Sequence, residues 1–358
     1  MRRWKWDIGT KELKMYNIKL LDHSDKQSLV DFIDRCWKKN HVFVLDTEIL
    51  DFQHKALFNY NFVGAFESHT GILRGILGFV SPSFYSTRVI ERGDDIWLAI
   101  WKVDKTNVSK KSIGFDLLDF LKQRFQPSSI SAIGINRKVA GVYRLLGYSV
   151  GELSHLYLLN PKVTISKVGC NLRQKIETLK DQSILVENNI VICQIDWTDD
   201  RIDTNKFVTK SPKKDFFAIK SRYKDHPTYK YQLYGLRRTI SFESFFVARE
   251  ITIKTTKILR IVDFFQDTTL KNDDWLTFAN FLFKNNYEYI DIVTDPHTAK
   301  NFICAGFIEN EDNQYVPHLF EPFDPARSVV LYSYFGTKNL SVFKGDSDLD
   351  RPNLARTI

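Results

Sequence analysis

Residues 94–148 read DDIWLAIWKVDKTNVSKKSIGFDLLDFLKQRFQPSSISAIGINRKVAGVYRLLGY. The run from Asp95 to Val103 is rich in β-branched and aromatic residues and has the length of a strand. After a polar loop, apolar residues recur at helical spacing from Ile113 to Leu121, and a second strand, 130–135, leads into a short helix. This stretch therefore predicts the order strand, loop, helix, strand, helix.

Gly114 lies where the first of these helices begins, directly after a loop that contains Lys110 and Lys111. A glycine lets the backbone approach a ligand closely, and the first turn of a helix offers unpaired N–H groups and the positive end of its dipole. The junction of loop and helix is therefore a candidate site for an anionic group.

The stretch resembles the GNAT superfamily of acyl-CoA-dependent N-acyltransferases. In that family a pyrophosphate-binding loop, Q/R-x-x-G-x-G/A, opens a helix, and the corresponding positions here are 109–114. Gly114 fits the pattern, whereas Ser109 and Ser112 depart from it. The later residues Asn136, Tyr143 and 147–148 follow the family arrangement N-x(6)-Y-x(3)-G-[FY], and the resemblance covers about residues 40 to 160.

The resemblance implies an acyl-CoA as co-substrate, acetyl-CoA or another acyl-CoA, and no metal. Backbone N–H groups of the first strand would then face the thioester carbonyl, and Asn136 would either contact the pantetheine arm or cap its helix. The cofactor-binding residues implied by the resemblance are Ile100, Trp101, Lys102, Val103, Lys110, Lys111, Ser112, Ile113, Gly114, Phe115 and Asn136.

Acyl transfer from a thioester to an amine needs a polarised carbonyl, a deprotonated amine and a proton for the leaving thiolate. The resemblance makes Tyr143 the candidate acid. His54, whose side chain has an ordinary pKa near neutrality, and Asp95, which begins the central strand, are candidate catalytic bases. A structural role in packing is the alternative for each of the three.

Three further residues are candidates for contact with the acceptor substrate. Trp97 shares a strand face with Trp101, His155 lies in the last strand of the first half and is also a candidate base, and His226 precedes a tyrosine-rich strand. Core packing is the alternative interpretation of these aromatic positions.

The element order recurs along the chain. In the first half, a hairpin precedes the central strand, and a last strand follows at 153–160. The second half repeats strands and helices in the same order. We therefore predict an α/β (α+β) fold of two tandem GNAT-like domains, each a mixed, mostly antiparallel sheet flanked by helices. The predicted boundaries are 1–160 for the CoA-binding domain, 161–211 for a connector, 212–335 for a degenerate GNAT-like domain and 336–358 for a tail.

The second half departs from the first at its loop between strand and helix. Residues 266–274 contain no glycine and three aspartates, and carboxylates repel a pyrophosphate. We therefore predict that the second half does not bind CoA. The alternating aspartates at 346–350 lack the glycine and glutamate of a calcium loop, which favours a turn-rich terminal segment.

Composition restricts the class of protein. The 358 residues are 43% hydrophobic and 26% charged, as in an ordinary globular protein, and no apolar run has the length of a membrane span. The N-terminus lacks an apolar signal core, so we expect a cytoplasmic protein. The four cysteines are widely spaced, and the net charge of +8 is spread along the chain, which disfavours a nucleic-acid partner.

The resemblance to the GNAT superfamily favours an acyl-CoA-dependent N-acyltransferase as the function. The resemblance further implies an amino-sugar acceptor, nucleotide-linked, in the biosynthesis of bacterial surface polysaccharide (O-antigen or capsule). Two alternatives stay open: a tandem-GNAT peptidyltransferase that uses aminoacyl-tRNA, and a non-catalytic scaffold of a polysaccharide assembly complex.

Overall fold

The computed structural model describes residues 15–105, 112–172, 191–207, 209, 211–237, 242–266, 270–271, 274–337 and 340–353. None of the helices within these ranges is long and apolar enough to cross a membrane. The elements in chain order are β1 (Tyr16–Asp22), α1 (Lys26–Phe32), α2 (Val42–Leu45), α3 (Thr47–His54), β2 (Asn59–Glu67), β3 (Leu73–Val80), α4 (Pro82–Thr87), β4 (Asp95–Val103), α5 (Ile113–Phe125), β5 (Ser129–Ile135), α6 (Arg137–Leu145), β6 (Ser149–Glu152), β7 (Ser154–Leu159), β8 (Val191–Ile195), α7 (Phe216–Tyr223), β9 (Tyr231–Arg237), β10 (Phe242–Ile253), β11 (Thr256–Gln266), α8 (Asp274–Asn285), β12 (Tyr287–Thr294), α9 (Pro296–Cys304), β13 (Ile308–Glu309), β14 (Leu319–Phe320), β15 (Phe323–Asp324) and β16 (Leu331–Phe335).

Two seven-stranded sheets form the body of the protein. The first has the order β1-β2-β3-β4-β5-β16-β6, and the second has the order β13-β7-β12-β11-β10-β9-β8. In each sheet one neighbouring pair is parallel, β4 with β5 and β11 with β12, and the other pairs are antiparallel. The predicted fold class is confirmed: two mixed, mostly antiparallel sheets, each flanked by helices.

The two halves of the chain exchange one strand each. β7 follows β6 after the single residue Leu153, yet it leaves the first sheet and pairs between β12 and β13 of the second. In return β16, which comes from the second half of the chain, pairs between β5 and β6. Each sheet is therefore completed by a strand from the other half, which ties the two halves together.

Helix α5 is positioned by its apolar face. Its buried residues recur at helical spacing and pack into the same hydrophobic core as β3 and β4. Burial of each such side chain contributes roughly 1.5–3 kcal/mol, so the helix is held firmly against the sheet. The first turn, with Gly114 and Phe115, is thereby fixed beside β4. The buried residues of α5 are Ile113, Leu117, Leu118, Leu121 and Phe125.

Candidate functional site

Strands β4 and β5 run side by side only over their first halves. They are paired in parallel from Asp95 to Leu98 of β4 and then diverge. A bulge lies at the point of divergence, where Ala99 and Ile100 of β4 together face the single residue Gly78 of β3. Because a bulge bends a strand and increases its twist, β4 turns away from β5. Within the described residues, the far side of β4 then has no neighbouring strand.

This divergence opens a cavity of about 840 Å³, which we call the β4–β5 cavity. One end lies between β4, the start of α5 and α6. The rest of the lining, which we call the far end, comes from Trp37, from residues 318–319 of the second half, and from Asp348, Leu349, Arg351 and Asn353 of the tail, which we define as residues 340–353. The volume lies in the range of roughly 300–1,000 Å³ that is usual for small-molecule sites.

Most of the predicted cofactor-binding residues line the β4–β5 cavity. Ser112 lies outside the lining and its hydroxyl donates to Asp116 Oδ2 over 3.2 Å, and Ile113 is buried in the hydrophobic core. Lys110 and Lys111 fall outside the described residues. The predicted residues that do line the cavity are Ile100, Trp101, Lys102, Val103, Gly114, Phe115 and Asn136.

Tyr143, the candidate acid, is buried in the wall of the cavity. Its ring meets the Trp101 ring edge to face, with the two centroids 5.9 Å apart. Burial raises the pKa of the Tyr143 phenol, so the hydroxyl keeps its proton at neutral pH. It can therefore donate a proton to a nearby group but is not a base.

Asn136 caps α6, one of the two roles left open by the sequence. Its Oδ1 accepts a hydrogen bond from the backbone N–H of Val139 over 2.9 Å. Asn136 also lines the cavity, so the cap fixes the start of α6 at the cavity wall.

Neither of the two candidate bases, His54 and Asp95, lines the cavity. His54 is fully buried between two phenylalanine rings, and burial lowers the pKa of its imidazole to about 4. Asp95 accepts hydrogen bonds from the Ser129 hydroxyl over 2.6 Å and from the Lys213 backbone N–H over 2.8 Å. Their catalytic roles stay predictions, which these surroundings do not favour.

The three candidate acceptor contacts also lie away from the cavity lining. Trp97 packs in a cluster of aliphatic side chains between the two halves. His155 is bound to Asp291, with 2.8 Å between Nε2 and Oδ2, and His226 Nδ1 accepts the backbone N–H of Tyr229 over 2.9 Å. Their substrate-binding roles likewise stay predictions.

Strands β11 and β12 repeat the divergent geometry in the second sheet. They are paired from 257 to 261 of β11, and Val262 forms the bulge opposite β10. Here the tail enters the split: the Lys344 N–H donates to the Val293 carbonyl over 3.1 Å, and the Gly345 N–H donates to the Val262 carbonyl over 2.8 Å. The chain's own backbone therefore fills the second cleft, which favours the prediction that the second half does not bind CoA.

The aspartates of the tail bind cationic side chains. Asp346 and Asp350 bind residues of the second half and so hold the tail against it, whereas Asp348 binds Arg351 within the tail; the turn-rich interpretation of the sequence did not include this role. Within the described ranges, no group of His, Cys, Asp and Glu side chains is arranged to hold a metal ion. The pairs are Asp346 with Lys214 at 2.7 Å, Asp350 with Arg249 at 3.2 Å, and Asp348 with Arg351 at 2.5 Å.

Sequence reasoning missed the far end of the cavity altogether. These residues come from segments that are distant along the chain, so no local spacing connects them to the motif at 94–148. The alternating aspartates at 346–350 were the available signal, because so many acidic residues in a buried segment require cationic partners. The missed lining residues are Trp37, His318, Leu319, Asp348, Leu349, Arg351 and Asn353.

Comparison with known proteins establishes the fold. No protein-family model matches the chain, and no curated protein matches it. A GCN5-related N-acetyltransferase from Anabaena variabilis ATCC 29413 superposes with a TM-score of 0.54 at 10% identity, over 89% of this chain and 72% of that one. A proposed acetyltransferase from Pyrococcus horikoshii superposes with a TM-score of 0.50 at 10% identity, over 93% of both chains.

A conserved protein of unknown function from Enterococcus faecalis V583, proposed to be an N-acyltransferase, has a TM-score of 0.50 at 10% identity, over 89% of this chain and 72% of that one. At such identities the likeness shows a shared fold and leaves the reaction to be argued from the site.

Proposed function

We propose that the chain is an acyl-CoA-dependent N-acyltransferase that binds its acyl donor in the β4–β5 cavity. The observation that carries this proposal is the divergence of β4 from β5 after Leu98, beside the bulge at Ala99 and Ile100. The pantetheine arm of CoA is an extended chain with amide groups, and an extended amide chain can pair with a free strand edge. The far side of β4 provides such an edge.

The rest of the lining suits the remaining parts of an acyl-CoA. Gly114 and Phe115, in the first turn of α5, bring the positive end of the helix dipole to the cavity, where a pyrophosphate can be bound. Lys102 and Lys105 add positive charge at the same wall. Apolar side chains of β4 suit a short acyl group.

Residues of this chain meet two of the three requirements of the reaction. Backbone N–H groups of β4 beyond the bulge polarise the thioester carbonyl, and an acceptor nitrogen then attacks the carbonyl carbon. As the carbon–sulfur bond breaks, Tyr143 gives its proton to the departing thiolate and is reprotonated from solvent. The raised pKa of the Tyr143 phenol ensures that the proton is present at neutral pH.

The acceptor we propose is the amino group of a sugar, nucleotide-linked, in the synthesis of bacterial surface polysaccharide. The support is the family resemblance of the sequence, together with the polar far end of the cavity, where Asp348, Arg351 and Asn353 offer both donors and acceptors to hydroxyl groups.

Calorimetric titration with acetyl-CoA and, separately, with free CoA tests the proposal. A Cβ at Gly114 would stand 3.5 Å from Trp101 Nε1, which is ordinary contact, so Gly114→Val is compatible with folding while its methyl groups occupy the donor's path. Gly141→Val is the matched control, since Gly141 is an exposed helix glycine with open space around it. We expect one saturable site per chain, lost in Gly114→Val and kept in Gly141→Val.

Two outcomes contradict the proposal. The first is that folded wild-type protein binds neither acetyl-CoA nor CoA; tRNA binding with a steep salt dependence would then favour the peptidyltransferase alternative. The second is equal binding by the wild type and Gly114→Val, which would place the donor elsewhere.

A further inference from the structure

His318 comes from the second half of the chain and lines the β4–β5 cavity of the first half. The residue is 4% exposed. Its Nδ1 has no hydrogen-bond partner among the described residues, and its Nε2 lies 3.2 Å from the ammonium nitrogen of Lys344 in the tail. A buried imidazole nitrogen without a partner costs free energy, which favours a bound group as its missing partner.

A buried network fixes the position of this imidazole. Arg260 donates to the carbonyl of Pro317 over 2.8 Å and to the carbonyl of His318 over 2.6 Å. Arg260 is itself bound to Asp291, with 3.1 Å between Nε and Oδ1. The backbone at residues 317–318 is therefore held by two hydrogen bonds from the one guanidinium group of Arg260, which lies far away in the sequence, as expected where a side chain must be oriented precisely for binding or proton transfer.

Other titratable side chains of the lining are poor proton acceptors at neutral pH. Lys102, Lys105 and Arg351 are cationic donors, and the phenol of Tyr143 keeps its proton. The carboxylate of Asp348 is 2.5 Å from Arg351, and its pKa is lowered. Among the described residues that line the cavity, His318 is the side chain with a free lone pair suited to this task.

We propose that His318 Nδ1 accepts the proton of the acceptor's amino group and that Lys344 receives the Nε2 proton in exchange. This inference rests on the acyltransferase function proposed above. As the nitrogen–carbon bond forms and the carbon–sulfur bond breaks, one proton leaves the nitrogen for His318, and one passes from Tyr143 to the thiolate. The net change is an amide and a free thiol, and solvent restores both protein groups.

The surroundings of the pair suit this exchange. Burial lowers the pKa of Lys344 to about 7, helped by Arg260 and Arg249 and opposed by Asp350 and Asp291. The pKa of His318 is also lowered well below its ordinary value. Burial is the largest cause, and the charges of Lys344, Arg260 and His155 lower this pKa further. A proton taken up by the pair therefore rests on Lys344. The pair is neutral and able to accept above about pH 7, so acyl transfer should increase as the pH rises through that value.

NMR of the whole protein labelled with nitrogen-15 histidine and carbon-13 lysine, without any ligand, tests the arrangement directly. His318→Gln and Lys344→Met assign the two sets of resonances. We expect Nδ1 of His318 to be unprotonated and Nε2 to carry the proton at pH 7.5, with the Lys344 ε-carbon titrating near pH 7. A proton on Nδ1 at pH 7.5, or a Lys344 side chain that stays charged to pH 9, overturns the proposal.

Kinetics with acetyl-CoA and glucosamine as the probe amine provide a second test. We expect His318→Gln to lower kcat about 100-fold with an unchanged KM for acetyl-CoA. Lys344→Met should abolish the rise in rate near pH 7, whereas exposed His297→Gln should resemble the wild type. A wild-type pH profile in Lys344→Met overturns the relay. Failure of the folded wild type to bind acetyl-CoA or CoA in calorimetry would instead refute the acyltransferase proposal, so the two failures are distinguishable.

Discussion

Replacement of Lys214 by methionine tests the buried ion cluster that holds the tail in the second cleft. The Lys214 ammonium nitrogen lies 3.0 Å from Asp263 Oδ1 and 2.7 Å from Asp346 Oδ1, and all three side chains are buried. Methionine keeps much of the apolar length of lysine but removes its charge. The variant therefore leaves two carboxylates in a dry site without this cation.

The expected cost follows from the charges. Removal of one partner from a buried ion pair costs about 3–5 kcal/mol. Protonation of one of the two carboxyl groups sets an upper limit to this cost. At pH 7.5 it requires about 5 kcal/mol, because the ordinary pKa of an aspartate is 3.8 and each pH unit above it costs about 1.4 kcal/mol. We therefore expect the free energy of unfolding to decrease by about 3–5 kcal/mol at pH 7.5.

The loss should become smaller in acid. Burial raises the pKa of Asp263 to about 6 in the wild type, and removal of the Lys214 charge raises it further. A folded state that keeps a proton which the unfolded chain has released is stabilised as the pH falls. Between pH 7.5 and pH 6 the variant should gain about 2 kcal/mol, whereas the wild type gains only about 0.4 kcal/mol because its Asp263 is half protonated at pH 6; relative to the wild type, Lys214→Met should therefore regain about 1.6 kcal/mol.

Urea unfolding at both pH values, followed by tryptophan fluorescence, measures this effect. Lys213→Met is the matched control, because Lys213 is exposed and its backbone N–H, not its side chain, bonds Asp95. Equal unfolding free energies for the two variants at pH 7.5, or a larger loss at pH 6, would refute the reasoning.

Three further outcomes are expected. Tyr143→Phe keeps the ring contact with Trp101 but should slow thiol release from acetyl-CoA about 100-fold without weakening acetyl-CoA binding; an unchanged rate would exclude Tyr143 as the acid. Asn136→Ala removes the cap of α6 and should cost about 1 kcal/mol in urea unfolding, and no loss would argue against the cap. Burial lowers the pKa of His54 to about 4, so the unfolded chain binds a proton below pH 6.5 that the folded chain does not. Acidification from pH 7 to pH 5 should therefore destabilise the wild type by about 2 kcal/mol more than His54→Leu, and parallel curves would contradict this.

Local patterns predicted the parts of the fold that depend on local physics. The hairpin of β2 and β3, the central strand β4 and the helix α5 each follow from the period of apolar residues. The start of α5 at Ile113, directly before Gly114, and the cap at Asn136 likewise depend on residues within a few positions of each other. These features were enough to predict one wall of the β4–β5 cavity.

Strand partners could not be predicted in the same way. β7 and β16 are both short strands, and nothing within either one specifies which sheet accepts it. Their exchange depends on the whole of each sheet, because a gap beside β5 or β12 can be filled by any strand of suitable length that reaches it. The last strand predicted at 153–160 was therefore correct as a strand, while its place in the second sheet was decided by tertiary contacts.

By itself, the sequence determined the order of the elements from β4 to α6, the fold class and the residues of one cavity wall, because these depend on periodicity and on residues close together in the chain. Tertiary structure decided the rest: the second cleft filled by Lys344 and Gly345, and the far end of the cavity with His318. Those arrangements depend on charges that are buried together, such as Lys214 with Asp346, although they lie more than a hundred residues apart. A buried charge requires a partner, but only the folded chain shows which one it has.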